Sequence, residues 1–166
     1  MKVVLSLAIM TLLVFPAGAG VKVDHEAGVD FTSYRTYAWK PGTVAARPAV
    51  QEAIVRAIDR ELKARGLRKV TDRRADIYVV TLAFGEMGAS VRGMYVYAQQ
   101  YDVGVITSDV VLTTTGTLLV DLIDGESDRP VWRGMATEVM GVPSQEKILK
   151  KIDKVTGKMF KSFPPR

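Results

Sequence analysis

Residues 116–140 constrain the fold more than any other part of the chain, because two apolar runs flank an acidic turn that contains Gly125 and Pro130. Every second position of the first run is apolar on one face: Leu118, Val120 and Leu122. The second run aligns Trp132, Gly134 and Ala136. A period of two is typical of a β-strand with one face against a core. The segment therefore predicts a β-hairpin with one dry face, on which the rest of the domain packs.

Length and composition fit one globular domain behind an N-terminal segment. The chain has 166 residues, of which 48% are hydrophobic and 25% charged. A domain of this size buries roughly 70% of the surface that its unfolded chain exposes, so its stability does not require a metal or a disulfide. The sequence contains no cysteine, which excludes disulfides, thiol catalysis and cysteine metal ligands.

The N-terminus has the three parts of a secretory signal peptide. Lys2 precedes an uncharged apolar run over residues 3–15, and Ala17 and Ala19 give the small-x-small pattern of a cleavage site. We expect residues 1–19 to be the signal peptide, cleaved after Ala19, with cleavage after Gly20 as the alternative. The run is shorter than the roughly 20 apolar residues of a membrane span, so no transmembrane span is expected after cleavage. An uncleaved anchor is the alternative hypothesis. Residues 20–166 are expected to form a single periplasmic or secreted domain.

Two amphipathic patterns predict helices. The first follows Pro48, a residue favoured at the first helical position, and ends at Gly66, which suits a C-terminal cap. Its apolar stripe recurs every four residues: Ile54, Ile58 and Leu62. The second helix follows Ser144, a suitable N-cap. Its apolar row contains Ile148, Ile152, Val155 and Met159.

Strand patterns fill most of the remaining chain. The predicted strands cover residues 21–25, 31–39, 67–70, 77–84 and 103–115, besides the hairpin. Gly85 is expected to end the fourth of these, and Gly116 is a candidate bulge. Residues 85–101 contain three glycines and three tyrosines without a clean period, and we interpret them as a long loop or an irregular hairpin. The expected fold is α+β, with two helices packed on one face of a mostly antiparallel sheet of about six strands.

Several segments, in order along the chain, resemble a known family. The most specific are Tyr37-Ala38-Trp39, Ala64-Arg65-Gly66-Leu67 and the run from Gly116 through Val131-Trp132-Arg133-Gly134. They resemble the domain of unknown function 4136 family of exported bacterial proteins. The resemblance implies an envelope location and supplies no catalytic residues. Many relatives are lipoproteins, whereas this chain has no cysteine to carry a lipid, so we expect no lipid anchor.

Three patterns resemble reactive or metal sites, and each has a structural interpretation. Ser144 and Lys147 match the S-x-x-K of penicillin-binding enzymes without the other elements of that site, which favours a helix N-cap. His25 is the only histidine and lacks a second imidazole partner for zinc. Residues 124–128 lack the spacing of a calcium loop and suit an acidic turn. No catalytic residue, metal or cofactor is therefore expected.

Two candidate binding surfaces remain. One is the tyrosine-rich segment with Tyr95, Tyr97 and Tyr101, since tyrosine offers both apolar area and a hydroxyl. The other is the basic side of the second helix, with Lys150, Lys151, Lys154 and Lys158. Lysine-rich helical faces attract anionic lipids or other anionic envelope components. Export argues against nucleic acid as a partner. The alternative for both is structural: packing for the tyrosines and a solvated helix face for the lysines.

These observations predict a non-enzymatic exported protein of the cell envelope that binds a protein or an envelope component. The alternative is a structural or assembly factor that forms an oligomer through its sheet edges. A hydrolase is the third hypothesis.

Overall fold

A computed structural model describes residues 20–71, 74–98 and 103–165, and for residues 92–98 and 103–108 it describes the backbone alone. The elements in chain order are β1 Gly20–His25, β2 Thr36–Trp39, α1 Pro48–Ala64, β3 Arg68–Lys69, β4 Ile77–Ala98, β5 Val103–Asp124, β6 Pro130–Met140 and α2 Gln145–Phe160. The predicted signal peptide lies outside the described residues.

The strands form one open sheet in the order β1-β6-β5-β4-β2-β3. β2 runs parallel to β3 and β4, and the other neighbouring pairs are antiparallel. Both helices pack on the same face of this sheet and share one core with it. The predicted α+β fold, with two helices on a mostly antiparallel sheet of six strands, is confirmed.

Both helices begin at the predicted residues, and α1 ends where Gly66 predicts. Pro48 opens α1, and Gly66 follows its end with a φ of 87°, a left-handed conformation that glycine adopts without steric cost. The Ser144 hydroxyl accepts a hydrogen bond from the Lys147 backbone N–H at 3.3 Å and so caps α2. Each helix turns its apolar side toward the sheet, and the buried side chains include Ile58, Leu62 and Met159.

The predicted hairpin is β5 and β6, and its dry face is the centre of the core. The apolar side chains of its first strand are buried: Leu118, Val120 and Leu122. Trp132 on β6 is only 1% exposed. Gly134 lies beside this indole, and a Cβ on it would be 2.6 Å from the Trp132 ring and 3.1 Å from the Met159 sulfur. The small residue therefore makes room for the tryptophan and for α2, as its position on the dry face predicts.

The boundaries of β4 and β5 differ from the sequence-based prediction. β4 continues through Gly85 to Ala98, so Gly85 does not end it and residues 85–98 are not a loop. The register between β4 and β5 is regular, with Gly85 opposite Gly116, because the valines and threonines of β5 give the glycine-rich strand a strong partner. Of the two interpretations, the paired strands support the hairpin, and their register is regular over the described residues. Gly116 is not a bulge, and the register shift in this strand lies between Leu122 and Ile123.

The strand expected from residue 31 begins only at Thr36. Turn chemistry outweighs the aromatic content here, because the Asp30 carboxylate accepts hydrogen bonds from the Thr32 N–H and hydroxyl at 2.9 and 2.6 Å. The Asp76 carboxylate then accepts from the backbone N–H groups of Arg35 and Thr36, both at 2.8 Å, and fixes the start of β2.

Candidate functional site

The segments that carry the family resemblance hold the domain together. Asp59 on α1 accepts hydrogen bonds from the Tyr37 hydroxyl at 2.9 Å, the Trp39 indole N–H at 3.0 Å and the Lys69 ammonium at 2.8 Å. Burial opposes ionisation of this carboxyl, but hydrogen bonds from Lys69, Trp39 and Tyr37 outweigh it and hold its pKa below the ordinary value. The Tyr-Ala-Trp motif thus joins β2 to α1.

Arg65, which follows the last residue of α1, joins this helix to α2. Its guanidinium pairs with Glu61 at 2.8 Å and donates to the backbone carbonyls of Phe160 and of Phe163, the latter at 2.8 Å. These carbonyls are at the end of α2 and just beyond it. Arg65 therefore links the C-terminal ends of both helices, and the Ala-Arg-Gly-Leu motif is structural.

The functional candidate is the part of β4 and β5 that extends beyond the rest of the sheet, here called the arm: residues 88–98 and 103–113. Eleven register pairs build it, from Gly88 opposite Thr113 to Ala98 opposite Val103. β6 ends at its pairing with residue 114, and within the described ranges no third strand pairs with the arm. Both outer edges of this ribbon therefore carry backbone N–H and C=O groups that no described strand pairs.

One face of the arm, with the base residue Met87, is apolar and exposed. Because side chains alternate along a strand and register partners share a face, this face continues the helix-facing face of the sheet. Its large side chains are exposed by 82% at Met87, 70% at Val91, 65% at Val110 and 47% at Leu112. The apolar face therefore has no cover within the described part of the chain.

An apolar groove lies at the base of the arm, between the N-terminal turns of the two helices. Its volume is about 730 Å³, within the range of pockets that hold ligands or peptide segments. The floor comes from the sheet and the walls from the helices. Residues that line it include Met87, Ala83, Leu118, Ala136, Ile54, Val142, Ile148 and Ile152.

Three of the described residues that line this groove are charged: Arg47, Glu138 and Lys151. The Lys151 ammonium pairs with the Glu138 carboxylate at 2.9 Å, and Arg47 lies at the start of α1. The ion pair neutralises its own charges, so the groove offers chiefly apolar contact area. Such a surface suits an apolar or amphipathic segment.

The structure separates the predicted site residues. Tyr95 and Tyr97 lie in the arm, where their backbones pair with residues 106 and 104, and Tyr101 lies outside the described residues. Lys151 lines the groove, and Lys150 pairs with a glutamate one turn earlier at 2.7 Å on the exposed side of α2. The other two predicted lysines are exposed: Lys154 and Lys158. The four lysines therefore do not form one uniform basic surface.

The three sequence patterns that resemble reactive or metal sites have structural roles in the fold. Ser144 caps α2, and His25 lies on the edge strand β1 opposite Trp132. Asp124 accepts from the Ser127 hydroxyl and N–H, both at 2.7 Å, which fixes the acidic turn and lowers the pKa of its carboxyl. Among the described residues no three His, Asp or Glu side chains are grouped to hold a metal.

Neither the apolar face of the arm nor the groove was predicted from the sequence. A signal for the arm was present, since Met87, Ala89 and Val91 alternate with Gly88 and Ser90. Because the segment also contains glycines, this period of two did not lead to the prediction of a strand. The groove had no sequence signal, because its lining comes from helices, strands and loops that are distant in the chain.

Fold and site together define a small α+β domain with a projecting two-stranded arm and an apolar groove at its base. The chain belongs to the family described as domain of unknown function DUF4136, whose model matches residues 21–165. The comparison with curated proteins found no match. No helix within the described ranges is long and apolar enough to cross a membrane.

Three solved structures share the fold at low sequence identity. A PDZ domain protein from Parabacteroides distasonis is 17% identical with a TM-score of 0.62, and the match covers 89% of this chain but 36% of that protein. The PelC dodecamer from Paraburkholderia phytofirmans is 12% identical with a TM-score of 0.53, over 90% of this chain and 99% of that one. A DUF4136 family protein from Bacteroides thetaiotaomicron is 11% identical with a TM-score of 0.50, over 88% of this chain and 96% of that one.

Proposed function

We propose that this chain is an exported, non-catalytic protein of the cell envelope that acts by associating with another protein chain through the arm. The N-terminal pattern of a charged residue, an apolar run and a small-residue cleavage site supports export. One observation carries the proposed activity: a ribbon of eleven register pairs extends from the domain, and no third described strand flanks it.

The physical chemistry of such a ribbon favours association. A two-stranded hairpin is marginally stable in water, and further strands or a packed layer are needed to stabilise it. The arm and its base also expose Met87, Val91, Val110 and Leu112 on one face. A protein partner can cover this face and pair with the free edges, as added strands do in β-augmentation.

A self-associating assembly factor is a second form of the same activity. The chain carries both an apolar arm face and an apolar groove, so the arm face of one copy can bind the groove of another copy. The PelC structure that shares this fold is a dodecamer, which lends support to an oligomer.

The basic side of α2 is a weaker binding surface. Lys150 and Lys151 already pair with glutamates at 2.7 and 2.9 Å, and Arg60 of α1 pairs with Asp153 of α2 at 3.1 Å. The two lysine contacts reduce the charge that α2 presents to an anionic surface.

Site-specific photo-crosslinking in the native envelope tests the proposal. A photoreactive residue replaces Val91 or Leu112 on the arm, and the control replaces Glu126 in the exposed turn after β5. We expect adducts with a defined protein partner, identified by mass spectrometry, from the two arm positions and not from the control. Equal adducts from all three positions, or none from the arm, would refute the proposal.

A further inference from the structure

We infer that the partner is a second copy of this chain, whose groove receives the apolar face of the arm. The inference deepens the proposed function, on which it rests, by naming the partner and the surface it uses. The arm supplies Val91, Val110 and Leu112, and the groove supplies its sheet floor and the first turns of α2.

The arm of a chain cannot fill the groove of the same chain. Met87 and Thr114 line the groove and are also the register pair from which the arm projects. Near the base of the arm the side chains of Val91 and Leu112 are 70% and 47% exposed, so the described side chains of the arm are not covered by the groove of their own chain. A second molecule is therefore required to place an arm there.

The size of the arm suits a reversible interface. Strands of this length, at ~3.4 Å rise per residue, give a ribbon ~37 Å long, and two strands ~4.8 Å apart give a width of ~10 Å. One face of this ribbon presents on the order of 370 Å², roughly half of the about 800 Å² that each partner of a standard stable interface buries. A contact over the apolar face is therefore smaller than a standard interface, and we expect it to be weak and to depend on concentration.

The chemistry of the two surfaces also matches. The described side chains on the apolar face of the arm carry no charge, and Lys151 in the groove is neutralised by Glu138 at 2.9 Å. Docking therefore buries the charge of Lys151 only together with that of Glu138. Arg47, the third charged residue of the groove, is exposed at the start of α1. Because each chain carries both an arm and a groove, two copies can exchange arms in a two-fold dimer, or the contact can repeat head-to-tail into a closed ring or an open chain.

The absence of cysteine makes a direct test possible, because each introduced thiol is unique. One sample of purified protein carries Leu112→Cys on the arm, and a second, with a different tag, carries Val142→Cys at the groove. Leu112 is 47% exposed and Val142 is 75% exposed, so neither substitution removes a core residue. In the matched control, Ser90→Cys on the opposite face of the arm takes the place of Leu112→Cys.

The two samples are mixed, oxidised and analysed by non-reducing gel and by mass spectrometry of the linked peptides. We expect about tenfold more disulfide between Leu112→Cys and Val142→Cys than between Ser90→Cys and Val142→Cys, because docking raises the effective concentration of the facing thiols. The yield should fall on dilution.

Three outcomes would overturn the inference. The first is a disulfide yield in the Ser90→Cys control pair equal to that in the Leu112→Cys pair. The second is a disulfide that forms chiefly between two Leu112→Cys arms. The third is a lipid that co-purifies with the protein in native mass spectrometry and occupies the groove. If photo-crosslinking from the arm still captures a different protein, the proposed function survives and this inference alone fails. If the arm captures nothing, both fail.

Discussion

Replacement of Gly134 by alanine tests the packing at the centre of the domain. The added Cβ would be 2.6 Å from the Trp132 ring and 3.1 Å from the Met159 sulfur, both closer than ordinary van der Waals contact. Trp132 and Met159 are 1% and 0% exposed, so neither can move aside into solvent. The backbone at Gly134 is not left-handed, and the cost is therefore steric.

The expected loss follows from overpacking a dense core. Extra methyl groups in such cores cost about 1–3 kcal/mol in the free energy of unfolding. For a domain of this size each kcal/mol lowers Tm by about 2–4 °C, which gives a decrease of about 2–12 °C. Urea unfolding followed by tryptophan fluorescence measures the free energy, and a thermal scan measures Tm.

Gly116→Ala on the neighbouring strand is the matched control. A Cβ at Gly116 meets nothing within 4 Å, so this variant should be as stable as the wild type or slightly more stable. Wild-type stability in Gly134→Ala, or an equal loss of free energy in both variants, would refute the steric explanation.

Three further predictions use the described contacts. Thr156→Val should raise the free energy of unfolding by about 1 kcal/mol, because the Thr156 hydroxyl is buried without a described hydrogen-bond partner; a lower stability in chemical denaturation would contradict this. Stability should decline below about pH 4, because the folded-state pKa values of Asp59 and Asp76 are lowered. The contribution of these two carboxylates to the free energy of unfolding is complete above the pKa of an unfolded aspartate, about 3.9, and is lost as the pH falls through the folded-state pKa values. Asp76→Asn should flatten this profile of unfolding free energy against pH, and an unchanged profile would rule the assignment out. The double change of Lys154 and Lys158 to Gln should leave photo-adducts from the arm intact, and their loss would assign binding to α2.

The core was predictable because its signals are local. The period of two in β5 and the four-residue stripe of α1 each come from the geometry of one element, and the burial of Val120 and Ile58 confirms both. The caps at Ser144 and Gly66 were equally local, since each depends on one side chain or one backbone angle.

The arm and the groove were harder to predict for physical reasons. Strand propensity is low at glycine, so Gly85 and Gly88 suggested a loop, whereas the pairing with β5 decides the structure of this segment. The role of Tyr37 and Trp39 also depended on a distant residue, because both donate to Asp59 across the sheet–helix boundary. Contacts of this kind have no period in the sequence.

The arm, on which the proposed association depends, and the buried core lie in different parts of the domain. None of the buried core residues belongs to the arm as far as its side chains are described. A variant in which the register partners Met87 and Thr114 are joined by Asn-Gly in place of the arm should therefore keep the fold. Its unfolding curve is the control that separates loss of association from loss of structure.

The most direct measurement is the mass of the complex that each form of the protein enters in the native envelope, by sedimentation of a gentle extract. We predict that the intact protein sediments in a complex larger than a single chain, and that the arm-deleted variant sediments as a single chain with an unchanged unfolding curve. An arm-deleted variant that stays in the same complex would contradict association through the arm.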